Sequence, residues 1–271
     1  MGIVTLANHA HVFPESINPN GTIDRLLKLL DACEIDRCVC FAPFAKQCDG
    51  KSISPNAWLA KELPRHKRLY GFGTIDPRRD DLSDQVDEIA SLGLRGIKVH
   101  PNGQGLPILS PKALQLYEAA QKHNLFLTFH SGVHQSRLKD NRVIDFDEIA
   151  WNFPELRFSL EHVGGYHFFN EALAVIFNHM PTPWNPKEGR VFAGLTSIFT
   201  QDHLRFWYQS RERLLELVAQ VGARQMIFGL DFPYNLEEHT KIGIETIRNL
   251  GLSAEDQANI LGGNMRRILG L

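Results

Sequence analysis

At 271 residues, 43% of them hydrophobic, the chain has the material for a large core and lies in the size range of a single α/β barrel. Its 29 basic and 31 acidic residues leave a formal net charge of -2, and neither "RHKR" at 65–68 nor Arg266-Arg267 alters that balance. Nucleic acid and anionic membrane surfaces are therefore not expected partners, and no apolar stretch approaches the roughly 20 residues that span a bilayer.

The N-terminus shows neither the basic nor the apolar region of a secretory signal, and "MGIVTL" misses the myristoylation pattern at Leu6. Eight β-rich runs follow at 3–8, 37–42, 69–75, 94–99, 125–129, 156–160, 191–197 and 226–230. Most are apolar without strict alternation, as expected for strands covered on both faces. "TIDRLLKLLDACE" follows the first run, "LSDQVDEIASLG" the third and "SPKALQLYEAAQKHN" the fourth, all amphipathic at helical spacing. "RERLLELVAQVGA" precedes the eighth run and "EHTKIGIETIRNLG" follows it. Ser110-Pro111 opens one helix, Gly93 and Gly251 close others, and Ser253 with Asp256 resembles a capping box.

The four cysteines lie between Cys33 and Cys48; Cys38 and Cys40 share a strand face and are poorly placed to bridge each other. No C-x-x-C spacing is present, so buried, reduced thiols and a cytoplasmic location are expected. The Pro-rich stretch 179–190 reads as a long loop near the rim formed by the strand ends. Strands alternating with helices from end to end predict an α/β fold, a single-domain (β/α)8 TIM barrel over residues 1–271. An open doubly wound sheet is the competitor, but no G-x-G-x-x-G follows the first strand.

In such a barrel the chemistry sits at the C-terminal strand ends. Those ends carry His9 and His11 on the first strand, Lys98 and His100 in "GIKVHP", His130 in "TFHSG", Glu161 and His162 in "EHVGG", and Asp231 in "GLDFP". Each has a plain explanation taken singly: H-x-H is a weak motif, His130 could be a hydrogen-bonded core residue, and Asp231 could cap a helix. A barrel, however, gathers all of them on one rim. Residues i and i+2 of a strand face one way about 6.5 Å apart, so His9 and His11 can converge on one ion. His130 would add a nitrogen and Asp231 an oxygen. That donor set suits zinc and accommodates manganese, iron or cobalt, and such an ion lowers the pKa of a bound water towards roughly 7.

The order H-x-H, "TFHSG", "EHVGG", "FGLDFP" and "ILGGNMRRIL" resembles the amidohydrolase superfamily, more narrowly its amidohydrolase-related branch containing aminocarboxymuconate-semialdehyde decarboxylase and resorcylate-type decarboxylases. The resemblance runs from His9 to Leu269. It implies one divalent metal, commonly zinc, held by His9, His11, His130 and Asp231, with Asp231 also shuttling a proton. His162 would be the acid/base histidine. Two positions depart from the pattern. Ala7 stands where family members often carry Asp, and Lys98 falls where binuclear members use a carboxylated lysine, although the mononuclear branch usually does not use it as a ligand.

Lys98 and His100 share a face and are expected to meet the substrate, a small molecule. The leading expectation is hydrolysis of an amide, lactone or ester. The alternative is non-oxidative decarboxylation of a small aromatic or unsaturated acid, with Arg137 or Arg142 holding the carboxylate. A ligand-binding barrel without catalysis is a third reading. Phe13, Phe168, Phe169 and Trp184 could line a pocket, His134 and His167 could support the site, and the resemblance implies a homodimer as one assembly.

Overall fold

The apolar runs pair in parallel. In the computed structural model, which describes residues 4–140, 142–183 and 189–271, eight strands close in sequential order into a barrel. They are β1 (Leu6–His11), β2 (Arg37–Phe41), β3 (Leu69–Thr74), β4 (Gly96–Val99), β5 (Phe126–His130), β6 (Phe158–Glu161), β7 (Val191–Leu195) and β8 (Met226–Phe232). A longer helix follows each strand: α1 (Ile23–Ala32), α2 (Pro55–Glu62), α3 (Leu82–Ser91), α4 (Pro111–Lys122), α5 (Phe146–Asn152), α6 (Gly165–Asn178), α7 (Arg211–Val221) and α8 (Glu237–Arg248). In α4 the Ser110 hydroxyl accepts from the Ala113 N–H, Pro111 fills the first turn, and Ala113, Leu116, Tyr117 and Ala120 make a buried stripe.

Along each strand alternate residues serve two cores. Ile97 and Val99 of β4, Leu127 and Phe129 of β5, and Phe158 and Leu160 of β6 pack beneath the helices. The barrel interior is filled at its base by Leu6, Val39, Phe41, Phe72, Phe126, Phe192 and Ile227. Met265, Ile268 and Leu269 of the C-terminal helix α9 (Asn264–Leu269) join that cluster and seal the N-terminal end. The polar interior groups Asn8, Thr128, Ser159 and Glu161 are buried as well, and the remaining open end is the C-terminal one. Among the described residues no helix is long and apolar enough to cross a membrane.

Two expectations need correction. The first strand spans Leu6–His11 and not 3–8 (Ile3 lies outside the described residues), so both histidines are inside it. His9 has φ 69°, and the pairing register of β1 shifts there against both neighbours, a bulge after which Ala10 and His11 pair with Cys40 and Phe41. Pairing on both sides outweighs the weak strand preference of histidine. The stretch 179–190 is also misplaced: its described residues, 179–183 and 189–190, lie between the end of α6 and the N-terminal end of β7, on the face opposite the strand C-termini. Arg190 there donates to the Ala150 and Phe153 carbonyls at 3.0 and 3.2 Å. Trp184 lies outside the described residues.

All four cysteines are buried free thiols. Burial pushes Cys33 up to about 11 and Cys40 up to about 12, and raises Cys38 and Cys48 as well. Since the thiolate is the nucleophile, a disulfide reagent at pH 8 is expected to label the folded protein negligibly within minutes. All four should react once the chain is unfolded in denaturant. Rapid labelling of Cys38 or Cys40 in the native state would contradict the burial described.

Candidate metal centre

His9 Nε2, His11 Nε2 and an Asp231 oxygen converge at the open end of the barrel, all within 4.8 Å of one another. The His9–His11 separation is 3.3 Å, His9–Asp231 3.4 Å and His11–Asp231 3.9 Å. Donors about 2.0 to 2.1 Å from a tetrahedral ion stand about 3.4 Å apart, so the trio has the spacing of three metal ligands. It is the single such group among the described residues. His130 stands outside it, its ring stacked on His100 at 3.9 Å and 11°. Its Nε2 is nevertheless buried without a hydrogen-bond partner, an orphaned polar atom of the kind a fourth ligand leaves in a cage of donors. The chemistry and spacing of these residues fit a divalent ion.

Two of the ligand candidates, His9 and Asp231, are held from behind. His9 Nδ1 lies 2.9 Å from Glu161 Oε2, which directs the Nε2 lone pair into the site. Glu161 is fully buried, and its two oxygens accept from Asn8 at 3.1 Å, Ser159 at 2.6 Å and Thr196 at 2.5 Å besides His9. Gly194 makes room for it: a Cβ there would lie 2.4 Å from the Glu161 carboxyl carbon. The acid absent at Ala7 is thus supplied across the barrel by β6. Asp231 Oδ2 accepts from the Ser197 hydroxyl at 2.6 Å, and Ser197 is held in turn by Asn235 at 2.9 Å. Asp231 caps no helix; α8 begins after Leu236.

The electrostatics follow from burial. Desolvation first, then neighbouring positive charge, holds the imidazoles of His9, His11, His130 and His162 well below 6.5, so they are neutral lone-pair donors at pH 7. Burial raises the Asp231 carboxyl to about 6, against the Ser197 hydrogen bond and the Lys98 charge. Lys98 is buried with its Nζ 3.3 Å from His9 Nε2, and burial lowers it to about 8 despite Glu161 and Asp231. His162 turns its Nδ1 to the Thr196 carbonyl at 2.7 Å, leaving Nε2 unprotonated, and its ring lies 4.8 Å from that of His130.

The amidohydrolase sequence profile matches residues 22–271. The chain belongs to the amidohydrolase family. A curated relative, the 2-amino-3-carboxymuconate-6-semialdehyde decarboxylase of Dictyostelium discoideum, is 25% identical over 268 residues, covering 86% of this chain and 70% of that protein. Among solved structures, the 5-carboxyvanillate decarboxylase of Sphingomonas paucimobilis has a TM-score of 0.71 at 16% identity and covers 100% of both chains. A Pseudomonas putida protein assigned as a 2-pyrone-4,6-dicarboxylic acid hydrolase has a TM-score of 0.71 at 21% identity, covering 100% of this chain and 98% of its own. At these identities the two structures attest to the fold.

This amidohydrolase gathers His9, His11, Asp231, Lys98, His130 and His162 as the sequence leads one to expect. His100 sits between strand end and rim, with its Nδ1 accepting from the Gly103 N–H at 3.1 Å and its ring against His130. His134 is exposed and meets both of those rings edge-on. Other candidates fall away. Phe13 and Phe169 are core residues and Phe168 packs against the core. Arg142 pairs with Asp145 at 3.3 Å, and the crevice it shares with His130 holds about 10 Å³, room for one water. Arg137 also has interactions of its own. Sequence reasoning missed Thr196, Ser197 and Trp207. The first two follow β7 in "GLTS", a polar step after an apolar run that could have marked another strand end.

Proposed function

We propose that the chain is a metal-dependent hydrolase that directs water onto an amide, lactone or ester of a small organic molecule. The observation that supports this most directly is the His9–His11–Asp231 trio at ligand spacing, with the orphaned His130 nitrogen beside it. Zinc suits three nitrogens and one oxygen best, and manganese, iron or cobalt would be accepted by the same set. A divalent ion held there polarises a carbonyl oxygen and lowers the pKa of water. The residues then divide the proton work. Asp231, oriented by Ser197, accepts a hydrogen bond from the attacking water, and the bare Nε2 of His162 takes that water's proton and passes it to the leaving group.

A second reading, non-oxidative decarboxylation, is favoured by Lys98: a buried ammonium 3.3 Å from His9 Nε2 is a cation able to hold a substrate carboxylate. The curated decarboxylase relative points the same way. Incubating the zinc-loaded protein with a panel of esters, lactones, amides and unsaturated or aromatic acids in ¹⁸O-water separates the two. Label in an acid product supports hydrolysis, and CO₂ release with no label in the organic product supports decarboxylation. Replacing His9 and His11 together by alanine is expected to abolish both metal content by elemental analysis and turnover. An active, metal-free double variant would sink either reading.

A further inference from the structure

The backbone under His162 is strained, and something must hold it. His162 has φ 62° and Val163 φ 48°, a left-handed conformation that is costly for any residue with a Cβ and most so for a β-branched one. Such geometry persists where the surroundings over-determine it. One edge of the His162 ring is fixed by Nδ1 on the Thr196 carbonyl. The turn beneath is fixed by Ser131, which accepts from the Gly164 N–H at 2.9 Å and donates to the Glu161 carbonyl at 2.6 Å. The face of the ring is covered by Trp207, whose plane lies within 17° of it at a centroid distance of 3.9 Å.

Trp207 is itself anchored by three loops. It lies in the segment after β7, and its indole N–H donates to the Val133 carbonyl in the segment after β5, at 3.1 Å. Its neighbour Phe206 accepts from the Tyr166 N–H after β6 at 2.9 Å. Gly165 admits the indole: a Cβ there would stand 3.0 Å from Trp207 Cδ1. Only 8% of Trp207 is exposed, and it meets His130 edge-on at 5.5 Å. Core packing alone does not account for a flat stack on one polar ring together with a hydrogen bond to the loop that follows another.

We propose that Trp207 is a positioning residue for His162: its indole face fixes the imidazole plane, so that Nδ1–H stays on the Thr196 carbonyl and the bare Nε2 faces the reacting atoms. This rests on His162 being the acid/base group of the proposed function. A one-edge hydrogen bond leaves the ring free to swing about that bond, and a parallel aromatic face removes this freedom. Misplacing such a group by even about 1 Å costs on the order of 100-fold in rate.

The test is nuclear magnetic resonance on zinc-loaded protein labelled with ¹⁵N-histidine, with His162 signals assigned by their loss in His162→Gln. The wild type should show one Nδ1–H tautomer and ring protons shifted upfield by the indole. Trp207→Phe should retain both features. Trp207→Leu should lose the upfield shift and mix the tautomers while zinc content stays at one per chain. On whichever substrate the panel yields, kcat of the leucine variant should fall on the order of 10- to 100-fold with little change in KM, and phenylalanine should restore most of it. An unshifted His162 signal in the wild type overturns the proposal even if the leucine variant does not fold. A leucine variant with the wild-type tautomer and kcat overturns it as well. If no zinc binds or no panel compound turns over, while the tautomer responds to Trp207→Leu, the functional reading fails and the positioning role stands.

Discussion

Exchanging Glu161 for glutamine is expected to weaken zinc binding by on the order of 10- to 100-fold, the usual cost of losing the partner that orients a metal-binding histidine. The chemistry is specific. Both oxygens of Glu161 accept, Oε1 from Asn8 and Ser159 and Oε2 from His9 and Thr196. A carboxamide keeps one accepting oxygen and turns N–H groups towards the other two donors. If the amide nitrogen faces His9, Nδ1 loses its acceptor, and the ring gains by moving its proton to Nε2, the atom that should bind metal. If it faces Asn8 and Ser159 instead, the buried Asn8 amide loses its acceptor. Either outcome strands at least one buried group, at about 1 to 3 kcal/mol, so the melting temperature should drop together with the affinity. Isothermal titration with zinc and a thermal melt of the metal-free protein check the two parts. Wild-type zinc affinity in Glu161→Gln would remove Glu161 from the support of His9. Thr196→Val, which deletes one donor and leaves the carboxylate, should show a smaller loss.

The contrast between Glu161 and Asp231 shows what the sequence could and could not convey. The alternation of apolar runs with "TIDRLLKLLDACE"-type segments was enough for the barrel, because eight strands covered on both faces leave few other architectures. Strand-end histidines then marked the rim. The helices α2, α5 and α6 escaped notice for physical reasons. The first is short and lacks a clear apolar stripe, the second is short, and the third opens on Gly165 and is apolar over much of its surface. Glu161 was visible at a strand end, but its task depends on which side chains meet across the barrel interior. His9 lies 152 positions away in sequence, and no spacing rule reports that contact. The same holds for Trp207, whose loop carries no motif. The bulge at His9 is a further case, since a positive φ at histidine arises from pairing with two neighbours and not from local preference.

Asp231→Asn should separate stability from function. It should abolish zinc binding and turnover, since it removes the one anionic donor of the trio. In metal-free protein at neutral pH it should also stabilise the fold. Burial raises the folded-state pKa of Asp231 from 3.8 to about 6, so the folded protein binds this proton more tightly than the unfolded chain does. The contribution to stability is full below the unfolded value and is lost as pH rises through 6, which amounts to about 3 kcal/mol at neutral pH. Asparagine carries no charge to bury. Its oxygen can still accept from Ser197, and its N–H₂ can donate to the lone pair of His9, 3.4 Å from the present Oδ1. The stability difference between variant and wild type, measured by denaturant unfolding in chelator, should therefore be smallest below pH 4, about half developed at pH 5, and grow to as much as about 3 kcal/mol in favour of asparagine by pH 7.5. Added zinc should reverse the order, because ligand binding stabilises only the chain able to hold the ion. A difference that does not change with pH, or an asparagine variant that binds zinc like the wild type, would show that the buried charge of Asp231 is not held for the ion.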